Sequence, residues 1–131
     1  MLFVDTGPLL ARYLVGDAYH RRALSTWKTL RGRRLFTSNY VLAETWTLLG
    51  RRAGRGFAAQ RAIDLHSSPS WSILYADRDT DLAAIRLMEK YADQSMSFTD
   101  CVSFALMRQH RISQAFTFDH HFLLAGFEVV G

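Results

Sequence analysis

The stretch from Met1 to Pro8 constrains the fold more than any other. Leu2, Phe3 and Val4 form an apolar run without polar alternation and lead into Asp5, Thr6, Gly7 and Pro8. Such a run suits a strand covered on both faces, as in the middle of a parallel sheet held between two layers of helices. Gly7 stops the strand and Pro8 suits the first turn of a helix, so Thr6 and Gly7 form a tight strand-to-helix connection. In an open α/β sheet, ligands bind outside the carboxyl ends of the strands, and Asp5 stands at such an end. The competing reading of Asp5 is a plain N-cap of the helix that follows.

The remaining pattern alternates helices and strands. A short helix is expected over Pro8 to about Val15. A second, Ala18 to Arg31, carries Tyr19, Ala23, Leu24, Trp27 and Leu30 at helical spacing and stops at Gly32. Leu35 to Thr37 make a brief strand, and Ser38 or Asn39 can cap a third helix reaching about Arg52. Gly54 and Gly56 break the pattern before a fourth helix, Phe57 to His66, with Ala58, Ala62 and Leu65 inward. Trp71 to Tyr75 form a third strand. Asp77, Asp79 and Asp81 then open a fifth helix, with Leu82, Ile85 and Met88 or Glu89 as its core face, ending near Tyr91. Acids in a first helical turn complement the macrodipole, so this trio is assigned to structure. Ala92 to Met96 form a loop, and Ser97 and Asp100 have capping-box spacing at the head of a sixth helix. Ala115 to Phe118 form a fourth strand ending in Asp119, followed by a short helix over His120 to Ala125 and an edge strand over Phe127 to Val130. Strands alternating with helices make a parallel three-layer α/β sheet.

Composition bounds the partners. With 131 residues, 49% of them hydrophobic, the chain has the size and make-up of one globular domain. No apolar run approaches the ~20 residues of a membrane span. An acid at position 5 argues against a signal peptide, and a single cysteine, Cys101, fits a reducing cytoplasm. The formal charge is +4, and Lys28 and Lys90 are the only lysines, so the positive charge is mostly arginine. Arginine favours planar contact with phosphate. Arg31, Arg33, Arg34, Arg51, Arg52 and Arg55 cluster at helix ends, where they serve equally as dipole complements or as RNA contacts.

Two strands thus deliver an aspartate at the same kind of position, Asp5 and Asp119. Two helices aim Glu44 and Asp100 toward the same edge. Glu44 lies beside the apolar stripe of Val41, Leu42, Thr45, Leu48 and Leu49, and its i+4 neighbour is Leu48 rather than a cation. Four carboxylates within ~6 Å would repel by about 2 to 3 kcal/mol per pair at an effective dielectric near 20, on the order of 15 kcal/mol altogether. That rivals the stability of a whole domain. Protons or hard cations must neutralise such a cluster, and all-oxygen ligation selects Mg²⁺ or Mn²⁺ over zinc. A divalent ion held by carboxylates activates a water and neutralises a phosphodiester under attack. Thr6 and Thr117 neighbour Asp5 and Asp119 and can orient the water or a metal ligand.

Four stretches carry a family resemblance: Leu2-Phe3-Val4-Asp5-Thr6, Glu44 after Val41-Leu42-Ala43, Ser97-Phe98-Thr99-Asp100-Cys101, and Phe116-Thr117-Phe118-Asp119-His120-His121-Phe122. Together they resemble PIN-domain ribonucleases and, within them, VapC-type toxins of prokaryotic toxin–antitoxin pairs. The resemblance spans the whole chain. It implies one PIN-like domain over residues 1–131 with a five-stranded parallel sheet. It further implies a metal-dependent endoribonuclease that leaves 5′-phosphate and 3′-hydroxyl ends, a homodimer, and a cognate antitoxin that blocks the site. Position by position, Asp5, Glu44, Asp100 and Asp119 fall on the family's four acids and Thr117 on its hydroxyl. Asp93, in the loop before Asp100, is a possible fifth acid.

Other readings fit less well. An aspartyl-nucleophile phosphatase or dehalogenase needs an acid two residues after the first, where this chain has Gly7. A receiver-type signalling domain needs an acid ending the third strand, where position 76 is alanine. A non-catalytic RNA- or partner-binding module is the remaining alternative, and it gives no reason for four mutually repelling acids. His120 and His121 lack metal-ligand spacing with another His or Cys and are expected on the surface. Trp46, about 100° round the helix from its stripe, marks either a partner surface or a half-buried position.

Overall fold

A computed structural model describes residues 1–131. Its five strands are β1 (Leu2–Val4), β2 (Leu35–Ser38), β3 (Trp71–Leu74), β4 (Gln114–Phe116) and β5 (Glu128–Val130). They form one all-parallel sheet in the order β3-β2-β1-β4-β5. The helices are α1 (Thr6–Tyr13), α2 (His20–Thr29), α3 (Asn39–Ala53), α4 (Arg55–Ser67), α5 (Arg78–Lys90), α6 (Phe98–Gln109) and α7 (His121–Leu124). The expected fold class and element order are both present.

β1 is central, and Leu2, Phe3 and Val4 are fully buried, which is why this strand tolerates no polar residue. From β1 the chain steps outward to β2 and β3, then crosses back to β4 and β5 on the other side. Right-handed crossovers therefore put α1 to α4 on one face and α5 to α7 on the other. Helix contacts follow that division: α1 touches α2 and α3, α3 touches α4, and α6 touches α5 and α7. The exception is a contact between α3 and α6, which belong to opposite layers. Aromatic rings fasten the sheet to its covers. Trp27 of α2 meets Phe116 of β4 with ring centroids 5.0 Å apart, and within the other cover Phe104 of α6 meets Phe122 of α7 edge-on at 4.9 Å. Burying each such ring contributes ~1.5 to 3 kcal/mol.

Local sequence sets most boundaries. Ser38 ends β2 and caps α3, its Oγ accepting from the backbone N–H of Val41 at 3.1 Å. Gly54 alone separates α3 from α4, with φ of 97°, a conformation that favours glycine. Gly56, expected to break the chain as well, lies inside α4.

The face of α5 differs from expectation. Thr80, Ala84 and Leu87 are its buried residues, while Ile85 and Met88 are 46% and 45% exposed. Asp77 caps the helix through the N–H and hydroxyl of Thr80, and the Thr80 hydroxyl also lies 3.2 Å from Gln109 Oε1 on α6. Small residues on that side let α5 lie close to α6, and close approach sets the phase in place of the more apolar ridge.

Ser38 is buried and α3 carries Glu44, so the cap has a stability effect that is easily read. Ser38→Ala is expected to cost about 1 to 2 kcal/mol, measured as a lower urea midpoint at unchanged m-value. An unchanged midpoint would show that the cap contributes nothing here.

Candidate active site

The strand order reverses between β1 and β4, so the crevice at their carboxyl ends is where an open sheet of this kind receives a ligand. Val4 pairs with Phe116, which sets Asp5 opposite Thr117 one step further on. The backbone N–H of Asp5 donates to Phe116 O at 3.0 Å, closing the ladder. Beyond it the side chains take over. The hydroxyl of the fully buried Thr117 donates to Asp5 Oδ2 at 2.8 Å and accepts from the backbone N–H of Asp119 at 3.0 Å. One hydroxyl thereby fixes two aspartates. Asp5 occupies the N-cap position of α1 but its side chain makes no cap hydrogen bond, so capping is not its role.

Glu44 and Asp100 approach from opposite layers, which accounts for the contact between α3 and α6. Together with Asp5, Asp119, Thr6, Ser95, Ser97 and Phe118 they line a cleft of about 470 Å³. Asp100 combines both roles open to it in the sequence. Its Oδ2 accepts from the Ser97 N–H at 3.1 Å while Ser97 Oγ accepts from the Asp100 N–H at 3.0 Å, a complete capping box on the cleft wall. Thr6 contributes a buried hydroxyl with no hydrogen-bond partner.

Charge is distributed unevenly among these acids. Burial pushes the Asp5 carboxyl up from 3.8 to about 7, with Asp100 and then Asp119 adding repulsion against the Thr117 hydrogen bond. Burial likewise raises Asp100, and Asp119 adds to it. A buried carboxyl beside two other aspartates, with an orphaned hydroxyl next to it, fits a divalent cation.

Asp119 has a partner that the sequence reading missed. His121, expected on the surface, is buried, with Nδ1 2.8 Å from Asp119 Oδ1 at an angle too oblique for a hydrogen bond. The backbone N–H of His121 donates to that same oxygen at 2.9 Å. An aspartate commonly bonds the N–H two residues on, so the Asp-x-His spacing was the available signal. His120 is the exposed member of the pair.

The remaining candidates scatter. Asp93 is exposed in its loop and does not line the cleft, whereas Ser95 does. Arg33 donates to Gln114 at the start of β4, and Arg34 lies over Phe36. Both precede β2, and Arg31 shares a groove with Arg33, so all three sit at the amino edge of the sheet, opposite Asp5. Arg52 pairs with Asp17 at 3.6 Å. Arg55 lines a groove of about 630 Å³ between α3 and α4, beside the half-buried Trp46. Arg51 reaches that groove and also a smaller one that contains Glu44. Of the six arginines it stands nearest the acids.

The fold is shared with known proteins. The PIN domain family profile matches residues 2–128. The chain belongs to the PIN-domain family. A curated PIN relative, the 23S rRNA-specific endonuclease VapC20 of Mycobacterium tuberculosis, is 38% identical over 127 residues, covering 97% of this chain and 95% of the relative. The crystal structure of Mycobacterium tuberculosis VapC20, described as a sarcin–ricin loop cleaving toxin, superposes with a TM-score of 0.89 at 35% identity, covering 97% of this chain and 96% of that one. FitAcB of Neisseria gonorrhoeae superposes at 0.74 with 19% identity over 100% of this chain and 97% of its own, a likeness of fold. The endoribonuclease activity expected from the sequence is the one this PIN-domain membership carries.

The raised Asp5 pKa has a stability consequence in the metal-free protein. Between its ordinary value of 3.8 and about 7, folded Asp5 holds a proton that the unfolded chain has released. Stability therefore falls as pH rises through that window, by up to roughly 4 kcal/mol if the whole shift is expressed. Urea midpoints in EDTA are expected to drop between pH ~4.5 and ~7.5, and Asp5→Asn is expected to flatten the profile and raise its upper end. Parallel profiles for the two proteins would mean that Asp5 is not the group responsible.

Proposed function

We propose that this PIN-domain protein is the toxin of a toxin–antitoxin pair, and that it hydrolyses one phosphodiester of a structured RNA using Mg²⁺ or Mn²⁺. The sarcin–ricin loop of 23S rRNA is the substrate best supported, because the relative that shares 38% of its residues across nearly its full length is named for that RNA. The observation that carries the reading is the convergence of Asp5, Asp100 and Asp119 at the β1/β4 switch point, with Thr117 bonded to two of them.

Asp5, Asp100, Asp119 and Glu44 would hold the cation, and an all-oxygen set suits Mg²⁺ or Mn²⁺. When bound, such an ion lowers the pKa of a water and offsets charge building on the phosphodiester. The chain's own groups set the geometry. Thr117 holds one oxygen of Asp5 and leaves the other free to face the cleft. The backbone N–H of His121 holds Oδ1 of Asp119 in the same way. The Thr6 hydroxyl is an unused donor beside Asp5, placed to bond a phosphate oxygen or a water. A non-catalytic binding module would leave the unfavourable burial of Asp5 without a purpose.

A homodimer, a cognate antitoxin and a cytoplasmic location belong to the same reading. Solved toxin–antitoxin complexes are among the proteins of like fold, and the single cysteine, Cys101, is buried and unpaired. No helix is long and apolar enough to cross a membrane.

The test is cleavage of a synthetic sarcin–ricin hairpin with Mn²⁺ or Mg²⁺ present. EDTA is expected to abolish it, and Asp5→Asn and Asp100→Asn are each expected to lower kcat by at least about 100-fold while remaining folded. Cleavage that survives both substitutions would place the chemistry elsewhere, and cleavage of unrelated hairpins at equal rate would remove the assigned substrate.

A further inference from the structure

Beside the acids, on the rim of the cleft, three residues form a stack that the proposed chemistry does not use. Phe118 lines the cleft next to Asp119, and the ring of Tyr19 lies on it with centroids 4.7 Å apart and planes 17° from parallel. Tyr19 remains 46% exposed. The Arg22 guanidinium sits 4.9 Å from the Phe118 centroid and 5.7 Å from that of Tyr19.

This stack is held on several sides. Phe116 meets Phe118 edge-on at 5.8 Å, and a Cβ on Gly7 would stand only 3.4 Å from the Phe118 ring, so the α1 backbone comes close beneath it. The backbone N–H of Tyr19 donates to Asp17 Oδ1 at 2.9 Å, Asp17 pairs with Arg52, and His20 Nδ1 lies 2.6 Å from Ala11 O. Arg22 Nε donates to Gly131 O at 2.7 Å. A tyrosine held in this way has its ring stacked on Phe118 and still leaves nearly half of its surface to solvent.

We propose that Tyr19 is a stacking platform for an unpaired nucleobase of the RNA adjacent to the scissile phosphodiester, with Arg22 supplying positive charge for a flanking phosphate. The inference rests on the nuclease reading and adds the element that selects a looped-out base. Proteins read structured RNA mainly at unstacked bases in loops, which are held on aromatic or guanidinium planes. Tyr19 and Arg22 offer both, one ring away from the acids that act on the backbone.

The test uses the full chain, a synthetic sarcin–ricin hairpin and a series of hairpins with one abasic nucleotide moved through the loop. Tyr19→Ala is expected to raise KM by about 5- to 100-fold, the worth of one base–aromatic stack, with a much smaller effect on kcat, and Tyr19→Phe is expected to rescue it. One abasic position near the cut should weaken the wild type by a similar factor and weaken Tyr19→Ala no further, because the partner is already gone. Equal KM for wild type and Tyr19→Ala, a loss that Phe does not rescue, or additive effects at every abasic position would overturn the platform. So would a Tyr19→Ala defect confined to antitoxin binding. If wild type cleaves and Asp5→Asn does not, such a failure falls on the platform alone. If wild type neither binds nor cleaves the hairpin, the nuclease reading falls and the platform with it.

Discussion

Holding a carboxylate at the buried end of a central strand is the constraint on which the rest of this structure depends. Removing Asp5 from water disfavours its charged form, and the fold offsets only part of that cost with the Thr117 hydroxyl. Thr117 reaches Asp5 only because β4 lies directly beside β1 in parallel register, and that adjacency is the point at which the chain reverses its direction across the sheet. Placing β4 there requires a crossover from β3 past two strands, through α5 and α6. That crossover brings Asp100 to the same edge. The topology that buries the first acid therefore also gathers its neighbours.

The acids are not equivalent once gathered. Asp5 is buried and bonded by a neutral hydroxyl. Asp119 is one-third exposed and has one oxygen seated by the His121 backbone N–H. Asp100 gives an oxygen to its own helix cap. Glu44, on the middle of α3, has its carboxyl reached by neither a cap nor a hydroxyl, and it lines both the cleft and the groove containing Arg51. Each aspartate thus has an oxygen fixed by the chain and a second to offer, whereas Glu44 is free to adjust. In the proposed reaction, rigid ligands with one adaptable member would suit an ion that must accept a substrate oxygen and release it.

Much of this was legible in residue order because it is local. The apolar run Leu2 to Val4, the turn at Gly7 and Pro8, the Ser97 to Asp100 spacing and the Asp119 position each depend on a few neighbours along the chain. Their convergence followed from a rule about parallel sheets rather than from any motif. What sequence reasoning missed depends on contacts between distant segments. The phase of α5 is set by close approach to α6 through Thr80 and Ala84, which hydrophobic periodicity does not register. The burial of His121 goes with the turn at the head of α7, where its backbone N–H bonds the Asp119 carboxylate. The arginines before β2 drew attention as a charge cluster, yet a parallel sheet places residues before a strand and residues after it at opposite edges, and Asp5 is after its strand. That argument was available from the topology alone.

The double use of Asp100 bears on how such a site can be stable without its ion. A side chain that only bound metal would have to be held in place by packing against other acids, each repelling it. The capping box gives Asp100 a favourable helix-terminal interaction at any metal occupancy, worth ~1 kcal/mol in hydrogen bonding and in complementing the helix dipole. The same holds for the turn that seats Asp119, where a backbone N–H compensates the carboxylate directly. Asp5 is the most deeply buried of the three and is tied chiefly to a side-chain hydroxyl, and it is Asp5 whose carboxyl is pushed furthest, to about 7. Local backbone chemistry thus supports Asp100 and Asp119, and in the proposed reaction the cation would be needed most at the buried Asp5, where desolvation outweighs its hydrogen bonds.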